Sequence, residues 1–209
     1  MDVRNIYCVG WNYRLHAQEL QNEVPEAPIL FTKPTHALVE MQGQTVLLPG
    51  ERGSVHYEAE LVLLIDRAYE PGMSVNDLVR QMALGLDMTL RDKQNDIKRR
   101  GQPWLECKGF RNGALISRAI PFPGLKRLGE RDFRLLKNGV EVQRGNAAQM
   151  VFSPQLLVDY CGNRFGLGAG DILYTGTPVG VGPVMSGDHL ALFWGDDLLG
   201  ECTVQLEGV

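Results

Sequence analysis

Two glutamates stand at the start of a predicted buried strand. Glu58 and Glu60 follow His56 at two-residue spacing, and the apolar, partly β-branched run 61–65 comes after them. Because side chains alternate between the faces of a strand, these polar side chains point the same way. Burying two such carboxylates is costly without a positive partner, and no Lys or Arg occurs between residues 55 and 65. A divalent cation that prefers oxygen ligands is one suitable partner, and a solvated strand face is the alternative.

A hard cation needs a third oxygen ligand, and Asp87 is the best candidate along the chain. It follows a predicted helix and lies among apolar neighbours, where an unpaired carboxylate would be costly. Together, Glu58, Glu60 and Asp87 form an all-oxygen ligand set that suits Mg²⁺ or Mn²⁺. The alternative is an ordinary turn or helix-terminal aspartate.

A histidine and a glutamate share one face of a predicted helix near the N-terminus. His16 and Glu19 are three residues apart within the helix predicted over 12–20, so their side chains are neighbours. A histidine that is oriented by a carboxylate can act as a general base. A packed histidine paired with Glu19 is the alternative, and these residues alone favour it.

The glycine-rich segment 175–182, Thr-Gly-Thr-Pro-Val-Gly-Val-Gly, follows a predicted strand. Its backbone amides and two hydroxyl groups suit a substrate carboxylate, and a series of tight β-turns explains the pattern equally well. The glycine string 166–170 precedes a strand instead of following one, which argues against a dinucleotide-binding turn.

The composition is typical of one globular domain spanning residues 1–209. Hydrophobic residues make up 44% and charged residues 22%, and the net charge of −4 argues against a nucleic-acid partner. The four cysteines lack C-x-x-C spacing, which suits a reducing compartment better than a disulfide framework or a zinc site. Residues 1–5 lack a signal-peptide core, and no apolar run reaches membrane-spanning length. We therefore expect a cytoplasmic protein without a membrane partner.

Most of the chain has the pattern of short strands. The dipeptide Asn138-Gly139 predicts a hairpin over 132–144. Further strands are expected over 5–10, 28–32, 36–48, 61–65, 172–175, 189–194 and 201–206.

The expected helices do not alternate regularly with these strands. Ser74 and the apolar stripe that follows it predict the clearest helix, over 74–84, and shorter helices are expected over 12–20 and 91–100. Ser153-Pro154 opens another helix, whose inward positions are Leu156, Leu157, Tyr160 and Cys161. This arrangement favours an α+β, β-rich fold over a doubly wound sheet.

With these motifs in place, the sequence resembles the fumarylacetoacetate hydrolase family, and within it the short acylpyruvase and oxaloacetate decarboxylase-like members. The resemblance covers nearly the whole chain, and each of its motifs is short. It is specific because all of the motifs occur in order: 8–13 with His16 and Glu19, 31–34, 56–61, 86–92, 108–110 and 170–178.

The resemblance implies a mixed β-roll, usually a homodimer, and a site for a small 2-oxo acid. It also implies that His16 and Glu19 lie on a mobile lid segment. The residues that the resemblance assigns are the metal ligands Glu58, Glu60 and Asp87 for Mg²⁺ or Mn²⁺, the catalytic residues His16, Glu19 and Lys108, and the substrate-binding residues Arg91, Gln94, Gly176 and Thr177.

The implied reaction is metal-dependent cleavage of a carbon–carbon bond in a 2-oxo acid. The main expectation is hydrolysis of an acylpyruvate, such as fumarylpyruvate or acetylpyruvate, in which His16 activates a water and an enolate is stabilised. An oxaloacetate-type decarboxylase and a 2-oxo acid tautomerase or isomerase are alternatives on the same site. A non-catalytic 2-oxo acid binding protein and a plain β-rich interaction domain remain as non-enzymatic alternatives.

Three positions depart from the family pattern. Trp11 stands where close relatives have Arg, Gly109 stands in place of Ser, and Arg111 stands in place of Asp. These departures leave the implied metal site untouched, but they bear on the size and charge of the substrate.

Overall fold

A computed structural model describes residues 2–20 and 23–208 of the chain. Short strands dominate it. They are β1 Ile6–Gly10, β2 Ile29–Lys33, β3 Leu38–Glu40, β4 Thr45–Leu48, β5 Val55–Tyr57, β6 Ala59–Ile65, β7 Val79–Asp87, β8 Thr89–Leu90, β9 Ala114–Ile116, β10 Ile120–Pro121, β11 Phe133–Lys137, β12 Val140–Gly145, β13 Ile172–Tyr174, β14 Gly182–Pro183, β15 His189–Trp194 and β16 Asp197–Leu206. The helices are α1 Arg14–Glu19, α2 Val75–Leu78, α3 Arg91–Arg100, α4 Leu105–Lys108, α5 Leu125–Leu128 and α6 Pro154–Phe165.

The strands form three mixed or antiparallel sheets. The largest has eight strands in the order β2-β1-β13-β6-β7-β9-β3, and β10 pairs with β7 beside that path. A second sheet has the order β12-β11-β15-β16-β4, and a third has the order β14-β5-β8. Sheets with few helices confirm the expected α+β, β-rich class.

Strand β6 is buried on both faces of the large sheet. Leu61, Leu63 and Ile65 contribute to the main hydrophobic core, which also takes in side chains from the five-stranded sheet. Val62, on the other face, packs in a second and smaller core cluster. A strand covered on both sides has a continuous apolar sequence, as the run 61–65 does.

The helix predicted over 74–84 is wrong beyond its first turn. Ser74 caps α2 by accepting a hydrogen bond from the backbone N–H of Asn76 at 3.2 Å, as expected. From Val79 the chain continues as strand β7, in which Met82 pairs with Leu63 of β6. A buried strand has apolar residues on both faces, so its sequence also contains the apolar spacing that is typical of a helix. Periodicity therefore does not distinguish a buried strand from a helix here.

Two smaller expectations are also wrong. The strand predicted over 36–48 is broken into a 3₁₀ turn, β3 and β4, and Gly43 turns the chain between the two strands with a φ of +86°. Those strands enter different sheets. On α6, Leu157 and Cys161 face inward as expected and Tyr160 is half-buried, but Leu156 is exposed.

Other elements agree with the expectations. The hairpin β11–β12 turns at Asn138 and Gly139, which have φ values of +53° and +80°. Helix α3 spans residues 91–100, and Pro154 opens α6 after the Ser153 cap. None of the helices in the described residues has the length and apolar character needed to span a membrane.

Candidate active site

Three acidic side chains meet where β6 and β7 lie side by side. Glu60 in β6 pairs with Gly85 of β7, and the backbone N–H of Asp87 donates to the carbonyl of Glu58 at 2.9 Å. One carboxylate oxygen from each of Glu58, Glu60 and Asp87 lies within 4.8 Å of the other two. All three residues are buried. The antiparallel pairing therefore assembles the ligand set that the sequence predicts, here called the acidic cluster.

Three cations of the chain pair with the acidic cluster. The Lys108 ammonium contacts Glu58 Oε2 at 2.7 Å and Asp87 Oδ2 at 2.6 Å, and Lys33 lies 2.7 Å from Asp87 Oδ1. Arg91 forms an ion pair with the second oxygen of Glu58. The positive partners missing near residues 55–65 thus come from distant segments.

The electrostatics of the cluster are uneven. Burial raises the pKa of Glu58, but Lys108 and then Arg91 outweigh it, so the net pKa is low. Glu60 has its pKa raised by burial and then by the neighbouring Asp87 and Glu58 carboxylates. Its Oε2 accepts a hydrogen bond from the backbone N–H of Gly176 at 2.7 Å, and no ion pair to Glu60 occurs among the described residues.

The acidic cluster fits a divalent metal ion. Its donors are all carboxylate oxygens, which hard cations prefer. Asp87 Oδ1 is buried without a hydrogen-bond partner in the described structure, although Lys33 lies near it as an ion-pair partner. Glu60 is a buried carboxylate without an ion-pair partner among the described residues, and the Gly176 amide and the charge of Lys108 only partly offset its burial. Both features leave coordination capacity for a cation.

His16 and Glu19 form the expected pair on α1. His16 Nδ1 lies 3.1 Å from Glu19 Oε2, and Glu19 Oε1 accepts a hydrogen bond from the backbone N–H of Gly180 at 3.0 Å. Glu19 thus tethers α1 to the glycine-rich loop. Burial lowers the pKa of His16 more than Glu58 and Glu19 raise it, so the neutral imidazole is favoured.

The glycine-rich loop lies against the cluster. Gly176 has a φ of +100°, and a Cβ there would lie 2.6 Å from Cβ of Asn12, so glycine is required. The hydroxyl of Thr177 donates to the carbonyl of Ala59 at 2.8 Å and accepts from Gln143 at 2.9 Å. Its proton is therefore used within the protein, and its role toward a substrate stays a prediction.

A narrow cavity of about 10 Å³ joins these groups. The predicted residues that line it are His16, Glu58, Glu60, Asp87, Arg91, Gln94, Lys108 and Thr177. Glu19 and Gly176 do not line the cavity. Glu19 contacts His16, and Gly176 donates to Glu60, through the hydrogen bonds given above. Arg91 donates to Gln94 Oε1 at 2.6 Å from the first turn of α3.

Several residues around the cavity were not assigned by the sequence. Lys33 is buried, and its ammonium donates to the carbonyls of Met88, Gly113 and Lys108. Phe31 and Trp104 line the cavity with Trp11. Phe31 and Lys33 belong to the motif 31–34 of the family resemblance, but the motif by itself implies no role for either residue.

Three other positions lie apart from the cavity lining. His56 is not a member of the acidic cluster, and its pKa is lowered to about 4 by burial and then by Arg91. Arg111 is exposed and does not line the cavity. A Cβ at Gly109 would lie 2.9 Å from both the Leu105 carbonyl and Pro34, so this chain has no room for a side chain there.

The chain matches known proteins over almost its entire length. Residues 5–206 match the family model described as Fumarylacetoacetate (FAA) hydrolase C-terminal. The chain therefore belongs to the fumarylacetoacetate hydrolase family, and it is an enzyme.

Two curated relatives and one solved structure are particularly similar. Oxaloacetate tautomerase YcgM of Escherichia coli (strain K12) is 39% identical over 91% of this chain and 88% of its own length. Oxaloacetate decarboxylase, mitochondrial, of Dictyostelium discoideum is 37% identical over 88% of this chain and 85% of its own. The structure of fumarylpyruvate hydrolase from Pseudomonas aeruginosa in complex with Mn²⁺ and pyruvate has a TM-score of 0.87 and 33% identity, covering 98% of this chain and 91% of that one.

Proposed function

We propose that this enzyme interconverts the keto and enol forms of oxaloacetate, with Mg²⁺ or Mn²⁺ held by Glu58, Glu60 and Asp87. The observation that carries the proposal is the buried acidic cluster, which shares one small cavity with His16. The relatives favour this alternative over acylpyruvate hydrolysis, because a 39% identical protein is named as an oxaloacetate tautomerase and the named hydrolase is 33% identical.

The charge of the site supports a dicarboxylate substrate. With all three carboxylates ionised, as metal ligands must be, the acidic cluster faces the three cations Lys33, Arg91 and Lys108, and these groups carry no net charge together. A bound divalent cation would leave the site with two positive charges, and oxaloacetate with its two carboxylates would neutralise them. Charge balance of this kind lowers the cost of burying an ionic ligand.

The side chains of the site suit proton transfer at C3 of oxaloacetate. When bound, the divalent cation supplies a Lewis acid that stabilises negative charge on an enolate oxygen. Glu19 holds Nδ1 of His16, so Nε2 carries the lone pair that would take a proton from C3. Transfer of that proton to the C2 oxygen completes the enol, and the reverse transfers restore the keto form. Lys108 adds a fixed positive charge beside the enolate oxygen.

Decarboxylation of oxaloacetate is a second candidate, which the Dictyostelium relative favours. In that reaction the C3–C4 bond breaks, CO₂ leaves, and the bonding electrons form the enolate of pyruvate, which then takes a proton at C3. The first step removes no proton, so it does not need His16 as a base.

An assay of purified protein with Mg²⁺, and separately with EDTA, tests the proposal. Enol absorbance follows tautomerisation of oxaloacetate, coupled detection of pyruvate follows decarboxylation, and acetylpyruvate and fumarylpyruvate report hydrolysis. We expect metal-dependent tautomerisation that His16→Asn slows by about 10²-fold or more, with a smaller effect on decarboxylation. Faster turnover of either acylpyruvate than of oxaloacetate would refute the proposal and restore the hydrolase interpretation.

A further inference from the structure

Aromatic rings form a continuous row along the cavity. The ring centroids of Phe31 and Trp104 are 5.4 Å apart, and those of Trp104 and Trp11 are 5.6 Å apart. The Lys108 ammonium lies 5.0 Å from the Phe31 ring at one end, and the Lys98 ammonium lies 4.9 Å from the Trp11 ring at the other. This aromatic row therefore runs from the acidic cluster, which Lys108 contacts, to the far end of α3.

The backbone holds Trp11 in a strained conformation. Its φ is +57°, a region that is unfavourable for a bulky residue and persists only where the surroundings enforce it. The next residue, Asn12, enforces it, because its side chain donates to the carbonyl of Thr175 at 2.8 Å and accepts from the N–H of Phe152 at 2.7 Å. The backbone beside Trp11 is thus anchored to two distant segments of the chain.

The neighbouring residue makes room for the row. Gly10 lies at the end of β1, and a Cβ there would lie 3.2 Å from Cζ3 of Trp104. The edge-to-face contact of Trp104 with Trp11, at 61° between ring planes, is a favourable aromatic geometry. Packed rings with enforced backbones yield little to a ligand.

We propose that the aromatic row sets the length of 2-oxo acid that the cavity accepts, with Trp11 as the specificity-determining residue. The 2-oxo acid head binds at the acidic cluster, and the chain beyond the head meets the row, whose packed rings disfavour longer acids. The inference rests on the proposed function in one respect, namely that the acidic cluster binds such a head with a divalent cation.

Binding measurements test the inference independently of turnover. Calorimetry in the presence of Mg²⁺ compares oxalate, which occupies only the head position, with the six-carbon acid 2-oxoadipate. In the wild-type protein we expect 2-oxoadipate to bind at least about 10-fold more weakly than oxalate. Trp11→Gly, which also relieves the strained φ, is expected to tighten 2-oxoadipate binding by at least about 10-fold and to change oxalate binding much less.

Two further variants make the test specific. Asn112→Gly replaces another residue with positive φ, +59°, that does not line the cavity, so it should leave the ratio of the two dissociation constants unchanged. Trp11→Phe keeps a smaller ring and should give an intermediate ratio. If Trp11→Gly does not fold, an unchanged ratio in Trp11→Phe overturns the inference.

The outcomes separate the two proposals. Wild-type protein that binds neither acid would overturn the proposed function together with the inference. Wild-type protein that binds both acids equally well, or a Trp11→Gly variant with an unaltered ratio, would overturn the inference alone.

Discussion

At the scale of single residues, Lys108 is the cation that contacts two members of the acidic cluster. Its ammonium reaches Glu58, Asp87 and the hydroxyl of Thr89, all at 2.6–2.7 Å. Burial lowers the pKa of Lys108, but Asp87 and Glu58 outweigh burial and keep the net pKa high, so the group stays charged. Removing one partner of a buried ion pair costs about 3–5 kcal/mol, which makes this lysine important for stability as well as for chemistry.

The variant Lys108→Met should therefore be unstable without metal. We expect its free energy of unfolding in EDTA to fall by about 3–5 kcal/mol, because two buried carboxylates lose their shared cation. Mg²⁺ should restore part of the loss by replacing the charge. Urea unfolding with and without Mg²⁺ measures both effects.

Lys93→Met is the control for this prediction. It removes an exposed ion pair with Glu106, so it should change stability by less than about 1 kcal/mol. Equal stability of the two variants in EDTA would contradict this role of Lys108.

Glu19 accepts two hydrogen bonds, and a glutamine in its place could not accept both of them. One carboxylate oxygen faces His16 and the other faces the backbone N–H of Gly180. A glutamine has one carbonyl oxygen, so one of these donors would meet its NH₂ group. The negative charge of Glu19 also raises the pKa of His16, which burial lowers more strongly.

These contacts predict how pH affects turnover. Since His16 must be neutral to act as a base, activity is lost as pH falls through its pKa, which lies below the usual 6.5. Glu19→Gln removes a contribution that raises this pKa, so the acid limb of kcat/KM should move to lower pH while kcat falls by about 10-fold or more. A pH–rate profile of both proteins measures the shift. An acid limb that stays in place would exclude His16 as the titrating base.

At the scale of elements, strand β7 explains where sequence patterns succeed and fail. The Ser74 cap was correctly predicted, because capping depends on local hydrogen bonds. The switch from helix to strand at Val79 depends on pairing with β6, which no local pattern contains. By contrast, Asn138-Gly139 encodes its own turn through positive φ angles, and the hairpin was predicted correctly.

Gly85 of β7 gives a test of this pairing. A Cβ at that position would lie 2.4 Å from Cε1 of Tyr174 and 2.8 Å from the carbonyl of Leu115, to which the Tyr174 hydroxyl donates a hydrogen bond. Gly85→Ala should lower the free energy of unfolding by about 1–3 kcal/mol through overpacking. Gly168→Ala is the matched control, since nothing lies within 4 Å of its Cβ position. Thermal unfolding compares them, and equal Tm values would show that β7 does not pack as described.

At the scale of the whole molecule, the topology brings distant segments to one cavity. The carboxylates were predictable because their motifs are local and resemble those of a known family. Lys33 was missed because its role depends on β2 pairing with β1 at the edge of the large sheet. That placement carries its ammonium to Asp87 and to the carbonyls of Met88 and Gly113. A buried lysine of this kind cannot be distinguished in a sequence from a surface lysine.

Metal binding should couple this cavity to the stability of the whole molecule. A ligand that binds only the folded state raises its stability, by about 2.7 kcal/mol when it is present at 100 times its dissociation constant. We therefore expect Mg²⁺ or Mn²⁺ to raise the Tm of the wild-type protein above its value in EDTA, and Glu60→Gln to abolish most of this increase.

The same variant should behave in the opposite way without metal. In EDTA, Glu60→Gln replaces a buried carboxyl group whose charged form burial, Asp87 and Glu58 disfavour, and its amide oxygen still accepts the hydrogen bond from Gly176. Its Tm in EDTA should thus equal or exceed that of the wild-type protein, so the order of the two proteins reverses when metal is added. Glu130→Gln, an exposed change of equal charge, should retain the full metal-induced increase. Differential scanning calorimetry measures all three proteins, and an undiminished increase in Glu60→Gln would rule out Glu60 as a metal ligand.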